Sequence, residues 1–445
     1  MRFLPHTPDD VAEMLRAVGV SSIDELLADV PKSLRERAQL RIGPSGSEQE
    51  VLRRLEEKAE ANPGAKMPCF LGAGAYPHFV PAVVDHVLSR AEFWSAYTPY
   101  QPEVSQGTLQ AAFEFQSLVA TLFGMEVANA SLYDGASAAA EAVLMARRLA
   151  PNRERVVLSS ALHPQVRAVV RTYLDGLPHV EVAEVPWNET GSTDVERLGA
   201  LCDENTSAVV VGYPNVFGIL EDLAETTRVA SRVGARVVSV TLEPLALALF
   251  RPPGDFGVDI AVGEGQSFGL PLSYGGPGLG LFATKEAYVR AMPGRLVGQT
   301  VDARGKRGFV LTLATREQHI RRERATSNVC TNHALGALAA TVYLSLLGKR
   351  GLRALAQMNY RRAHEVAERL VASGRWQLRF PGVFFNEFVL AGADADEALR
   401  SCARAGVLGG FPLGRWYPEL AESLLVCVTE LPTDEEIERL VRCLA

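Results

Sequence analysis

Lysine is scarce in this chain: of 45 basic residues in 445, six are lysines and 39 are arginines. A GC-rich or heat-adapted source produces that kind of bias, and it leaves few amines for any chemistry that needs one. The six cysteines, Cys69, Cys202, Cys330, Cys402, Cys427 and Cys443, include no C-x-x-C pair and have no histidine at ligand spacing, so neither a disulfide framework nor a zinc site is expected. At a net charge of −7, no basic run is long enough to track a phosphate backbone. The most basic stretch, 316–324, is interleaved with Glu317 and Glu323, which argues against nucleic acid as a partner. The longest apolar helix candidate, 334–347, falls short of the roughly 20 residues a bilayer requires. The start, MRFLPHTPDD, has no apolar signal core, so the expected location is cytoplasmic, without a membrane. Internal repeats and low-complexity segments are missing too.

At 47% hydrophobic and 22% charged residues, the chain can bury a large core and should divide into two or more domains. Residues 1–65 read as an N-terminal helical arm. Thr7 caps one helix with Pro8 at its first position, and Ser22 with Glu25 and Ser47 with Glu50 fit the S-x-x-E capping box. Asn62, Pro63 and Gly64 then lead into the glycine-rich FLGAGAYPHFVP. From Gly135 onward the pattern alternates. An alanine-rich helix runs to about Ala150, with helices after Pro164 and over 220–232; strands are expected at 156–159, 180–185, 208–212 and 237–240 and near Ile260 and Leu279. Such alternation indicates a mostly parallel, doubly wound α/β sheet, here over 66–330. A long apolar helix at 332–347 and strands at 383–390 and 424–428 make 331–445 a linking helix with a small α+β C-terminal domain.

Gly135, Ala136 and Ser137 read as a turn at a helix start, where free N–H groups and the positive dipole end would cradle an anion; small residues there also serve close packing. His163 follows a strand, at the edge of the sheet where α/β folds present ligand-facing groups, and a loop histidine can equally be structural. The same loop position recurs at Tyr213-Pro214-Asn215. Neither Gly72-Ala73-Gly74 nor Gly275-Gly276-Pro277-Gly278 opens a helix in a strand-turn-helix unit, and Pro277 lacks an N–H, so a dinucleotide fingerprint is excluded and packing turns are expected.

Four ordered blocks, YTPYQPEVSQGTLQAAFEFQ from Tyr97, SLYDGASAAAEA from Ser131, PPGDFGVDIAVGEGQSFGLPLSYGGPGLG from Pro252 and TREQHIRRERATSNVC from Thr315, closely resemble the P-protein family of the glycine cleavage system. The likeness runs from LGAGAYPHFVPAVVDHV at Leu71 to GGFPLGRWYPEL and VTELPTDEEI near the C-terminus, nearly the whole chain. The resemblance implies an aspartate aminotransferase-like α/β fold of the pyridoxal phosphate (PLP)-dependent transferase fold type I, with a parallel-sheet large domain, a helical arm and a small C-terminal domain. It also implies decarboxylation of glycine on PLP and transfer of the aminomethyl group to the lipoyl arm of H-protein.

PLP chemistry needs a lysine to hold the cofactor as a Schiff base and an acid facing the pyridine nitrogen. The family's His-Lys-Thr-Phe stretch falls on Gly265, Gln266, Ser267 and Phe268, which puts an amide where the lysine belongs. The ring-facing aspartate falls near Val240, and Glu243, the nearest acid, is out of register. Lys285, in ATKEAY, starts a surface helix beyond the next strand and is not expected to substitute. The resemblance therefore points to the first chain of the two-chain form, with Gly135, Ser137, His163 and Gln266 as a vestigial site and PLP held covalently by a second, lysine-bearing subunit.

The resemblance makes Tyr97, Thr98, Tyr100, Gln101, Glu103 and Gln106 candidates for lining the partner's glycine and lipoyl channel; an interface or core aromatic loop is the alternative. Thr326, Ser327 and Asn328 are candidates for the partner's PLP phosphate, with capping of the helix at Asn332 as the alternative. The 316–324 stretch, with Glu317 and Arg321 at i,i+4, reads as a solvated or interdomain helix. Two rival readings remain: a self-sufficient PLP enzyme using another lysine, which the lysine census opposes, and a scaffold that lines no pocket.

Overall fold

The computed structural model describes residues 5–38, 41–94 and 97–445; the first four residues, which open the sequence without an apolar core, lie outside them. The chain forms two units, Met1–Ala65 and Lys66–Ala445. The first holds helices α1 (Pro8–Val18), α2 (Ile23–Leu26), α3 (Lys32–Arg37) and α4 (Glu48–Glu60). Their starts are set locally. Thr7 and Asp10 close a full capping box at α1, as do Ser47 and Glu50 at α4, while at α2 the Glu25 N–H donates to the Ser22 hydroxyl.

The second unit opens with α5 (Ala82–Leu88), α6 (Ala91–Trp94), α7 (Gln106–Phe123) and the edge strand β1 (Val127–Ala128). Then come α8 (Gly135–Leu149), β2 (Arg155–Ser159), α9 (Pro164–Asp175), β3 (Glu181–Val185), α10 (Val195–Leu201) and β4 (Thr206–Gly212). They are followed by α11 (Leu223–Arg232), β5 (Arg236–Thr241), β6 (Ile260–Glu264) and β7 (Gly280–Thr284). A hairpin of β8 (Leu296–Val301) and β9 (Arg307–Thr312) and the short α12 (Gln318–Arg321) lead to the helical run α13 (Ala334–Ala372). That run breaks at Gly348, whose φ of 57° no helix accommodates, so the apolar segment expected to end at Leu347 does end there. The chain closes with β10 (Gln377–Leu378), β11 (Glu387–Ala391), α14 (Ala395–Arg404), β12 (Phe411–Pro412), β13 (Ser423–Cys427) and α15 (Asp434–Leu444).

The large sheet has the order β1-β7-β6-β5-β4-β2-β3. Strands β2 to β6 are parallel, while β7 and β1 run antiparallel at one edge. Each central strand is apolar on both sides because both faces are covered. Val157, Val209, Val211 and Val237 meet α7, α11 and α13 on one face. Val156, Val210, Val238 and Val262 meet α8 and α9 on the other. Each buried valine contributes about 1.5–3 kcal/mol. The small antiparallel sheet, β10-β11-β13-β12, has its own core around Phe388, Leu424 and Leu440.

Two local readings need correction. Gly135, Ala136 and Ser137 do not form a turn ahead of a helix; they are the first turn of α8, with Asp134 as the N-cap. The 316–324 stretch is not one helix: the short, exposed α12 lies between two single turns, and only Arg316 and Glu317 are buried. Arg316 is buried with its guanidinium donating to the carbonyls of Met292, Leu313 and Gly294. Glu317 faces Arg295 at 3.8 Å and His319 at 3.7 Å, not Arg321. A buried guanidinium that serves three carbonyls outweighs a weak surface charge pair. Among the described residues, no helix is long and apolar enough to cross a membrane.

The loop after β4 ties the two sheets together: the Leu220 N–H donates to the Val383 carbonyl at 2.9 Å, and Gly218, at φ 78°, lies against β11. A Cβ there would sit 1.9 Å from the Glu387 carbonyl oxygen, whereas one at Gly19, also at positive φ, would meet nothing within 4 Å. Gly218→Ala should therefore cost about 3 kcal/mol or more in urea unfolding, against about 1 kcal/mol for Gly19→Ala. Equal losses would show that the close approach is not obligatory.

Candidate functional site: a cofactor cleft without its amine

At the C-terminal ends of the parallel strands, where doubly wound sheets bind ligands, a cleft of about 260 Å³ is lined by Gly74, Asp134, His163, Glu264 and Gln266, among others. The N-terminus of α8 reaches it at Asp134 and Ala136, and the N–H groups on either side of Ala136 are in use. The Ser137 N–H donates to Asp134 Oδ1 at 2.7 Å, and the Gly135 N–H to Glu264 Oε2 at 2.9 Å. Glu264 Oε1 also accepts from the N–H groups of Leu279 at 2.6 Å and Gln266 at 3.1 Å. Burial pushes the Glu264 carboxyl up to about 7, against the pull of these three N–H groups. Gly135 is required by the approach, since a Cβ there would lie 3.0 Å from the Glu264 backbone nitrogen.

The Gln266 amide is held at both ends, its oxygen accepting from the Tyr76 N–H at 3.3 Å and its nitrogen donating to the Leu270 carbonyl at 2.7 Å. His163 is the N-cap of α9: its Nδ1 accepts from the Gln165 N–H at 3.2 Å, so Nε2 carries the proton it gives to the Ala73 carbonyl at 3.0 Å. Burial lowers its pKa and keeps it neutral, and its ring meets Trp416 edge-on, 4.7 Å between centroids. Deeper still, Glu387 accepts from the Ala73 N–H at 2.6 Å and the Tyr76 hydroxyl at 2.9 Å, and burial raises it to about 8.

The structure thus brings His163 and Gln266 to one cleft, with Gly135 buried behind its wall against Glu264 and Ser137 in the capping box. These residues do not fit PLP. Among the described residues no lysine lines the cleft, and Lys285 Nζ, at the opposite end of β7, is bound to the Gly257 carbonyl at 3.0 Å and Asp259 at 2.8 Å. Val240 is buried in β5. Glu243 is engaged elsewhere: its Oε2 lies 3.0 Å from His78 Nε2 and accepts from the Ser267 hydroxyl at 3.3 Å.

A match to the profile of the family described as "Glycine cleavage system P-protein" extends over residues 1–444. The chain belongs to the glycine cleavage system P-protein family. Among curated relatives of this P-protein chain is the probable glycine dehydrogenase (decarboxylating) subunit 1 of Geobacillus thermodenitrificans. It is 51% identical over 442 residues, covering 99% of this chain and 98% of the relative. The protein of the same name from Thermomicrobium roseum is 51% identical over 446 residues, 100% and 99% of the two chains. A crystal structure of glycine decarboxylase (P-protein) in inhibitor-bound form superimposes with a TM-score of 0.88 at 43% identity, covering 99% of this chain and 98% of that one. A sphingosine-1-phosphate lyase from Burkholderia pseudomallei, at 16% identity and a TM-score of 0.68 over 93% of each chain, shares the fold alone. The architecture is that of the PLP-dependent fold type I enzymes.

In this P-protein chain the 97–106 block lies on the surface. Tyr97 is 82% and Tyr100 53% exposed; Tyr100 meets His319 edge-on, with centroids 5.7 Å apart, and Gln101 and Glu103 are exposed. The Thr98 hydroxyl is buried with no hydrogen-bond partner among the described residues. Gln106 is exposed, its amide spanning the N–H and carbonyl of Phe309 at 2.9 Å each. Thr326, Ser327 and Asn328 line a cleft with Glu141 and Arg148. None of them caps α13, which starts after His333 without a side-chain cap. The Ser327 oxygen accepts from the Val329 N–H at 3.0 Å.

Sequence reasoning missed the buried triad His78, Glu243 and Glu430, whose members are far apart in the chain. His78 Nδ1 is 2.8 Å from Glu430 and Nε2 3.0 Å from Glu243, with the imidazole side chain 2% exposed. Burial alone would lower the imidazole pKa, but Glu243 and then Glu430 outweigh it and raise His78 to about 10. Against its own desolvation, Glu430 is drawn down to about 2, chiefly by the His78 hydrogen bond. The histidine contribution is complete below its ordinary 6.5 and fades as pH rises toward 10; the Glu430 contribution is complete above its ordinary 4.5 and fades as pH falls toward 2. His78→Gln should cost about 3–5 kcal/mol near pH 5–6, and the gap to wild type should narrow toward pH 10. A gap that stays constant across urea titrations from pH 5 to 10 would refute the charged triad.

Proposed function

We propose that the chain is subunit 1 of a two-subunit glycine dehydrogenase (decarboxylating) and that it performs no covalent cofactor chemistry itself. One observation carries this reading: at the position of the Schiff-base lysine stands Gln266, an amide with both ends bonded to backbone. PLP belongs to the complex and is held by the lysine of a second P-protein subunit. When bound there, it supplies the electron sink on which glycine loses carbon dioxide, before the aminomethyl group passes to the lipoyl arm of H-protein. A cytoplasmic location accompanies this reading.

The chain's own residues contribute a surface. Exposed Tyr97 and Tyr100, with Thr98, Gln101 and Glu103, are assigned to the wall of the partner's glycine and lipoyl channel. An aromatic ring with a polar tip both packs and hydrogen-bonds at such a wall. Gln106 fastens the block to Phe309, so it acts as a positioning residue. Of the three residues assigned to the partner's PLP phosphate, Asn328 is exposed while Thr326 and Ser327 are half-buried, the Ser327 oxygen accepting from the Val329 N–H.

Mixed with its partner, the chain should support glycine-dependent carbon dioxide exchange that neither subunit shows alone. Incubated alone with PLP and borohydride it should yield no stable adduct, and an adduct mapped to one buried lysine would end this reading. Tyr97→Phe, Tyr100→Phe and Asn328→Ala should each leave assembly intact yet lower exchange about tenfold to a hundredfold, the value of a hydrogen bond to a charged or reacting group. If all three assemble and keep full activity, the pocket-lining role gives way to a scaffold.

A further inference from the structure

The disagreement between cleft and cofactor goes further than the missing lysine. At the start of α8, three backbone N–H groups from three different segments, Gly135, Gln266 and Leu279, converge on one carboxylate. A helix N-terminus with such converging donors is the arrangement that holds a phosphate group. We propose that Glu264 is a built-in anion: its carboxylate fills this nest in place of the phosphate, so that this chain's cleft admits neither PLP nor any other phosphate ester.

Three features support the exchange. Glu264 comes from the end of β6, two residues before Gln266, so one short segment both removes the amine and closes the anion site. Gly278 packs directly on the carboxylate, since a Cβ there would lie 2.8 Å from Glu264 Oε2. The cleft also has the wrong sign for a dianion: Asp134 joins Glu264 in its wall, and His163, held neutral by burial, supplies no compensating charge. An acid that satisfies the nest intramolecularly removes the need for a ligand to order the loop from Gly265 to Leu279, and so lets this subunit fold without cofactor. This inference concerns the chain by itself and holds whether or not the channel residues act as proposed above.

The test is calorimetric titration of the full chain with inorganic phosphate, and separately with PLP, at pH 8, where Glu264 is ionised. Wild type should show no saturable uptake of either. Glu264→Ala, which frees the three donors and removes the charge, should bind phosphate at least about tenfold more tightly than wild type. Glu264→Gln, which keeps the volume and removes the charge, should gain less. Saturable binding of phosphate or PLP by wild type, as tight as by the alanine variant, would overturn the proposal. So would the absence of any gain in both variants once circular dichroism shows them folded. Should Glu264→Ala fail to fold, the wild-type and glutamine titrations decide alone, because an empty nest in wild type would bind the ion and a charge-plugged one would yield to Gln. A mere supporting role of Glu264 in the loop would change stability and leave phosphate binding unmoved.

Discussion

A parallel sheet buries both of its faces or does not form, and the rest of this molecule follows from that constraint. With α7, α11 and α13 on one side and α8 and α9 on the other, only the strand ends stay open. The loops after β2, β4, β5 and β6 converge at one end. There they meet the glycine-rich segment at 71–78 and the small sheet, which Gly218 and Leu220 hold against the loop after β4. The cleft is a consequence of the sheet, and in this chain no lysine lines it among the described residues.

What changed is the sign of the cleft and the way its polar groups are satisfied. Donors that could hold a phosphate are bound to Glu264, a glutamine is pinned where an amine would react, and Glu243 turns to His78. Buried acids are costly unless hydrogen-bonded, and each here has a specific partner: Glu387 has Tyr76 and Ala73, Glu430 has His78 and the Phe79 N–H. The same network joins the 71–78 segment to β5 and to the small sheet. The site is ordered by its own side chains, and in the proposed enzyme its contribution lies outward, at the exposed 97–103 block and Asn328.

Much of this was legible in the sequence. Strand and helix order followed from periodicity because double-sided burial writes continuous apolar runs, as in 208–212 and 237–240, and caps such as Thr7 and Ser47 are local chemistry. That Gln266 stands at the family's lysine position is an expectation from the flanking blocks, and the structure adds that its amide is bonded at both ends. The β8 and β9 hairpin was not read, since its alternation is weak and its pairing depends on Gln106 and Gln116 of α7. Arg316 looked like surface charge because its partners are three carbonyls, which leave no side-chain pattern.

The sequence by itself determined the family, the order of the layers and the absence of the amine, all of which depend on residue identity at fixed spacing. Only the tertiary structure decided what fills the vacated chemistry. Glu264 acts through donors 129 residues before and 15 after it, and His78 through acids 165 and 352 residues away. Interactions of that kind depend on which backbone N–H or side chain arrives opposite when the sheet closes. That meeting is set by the packing of both faces at once, and no local stretch of sequence records it.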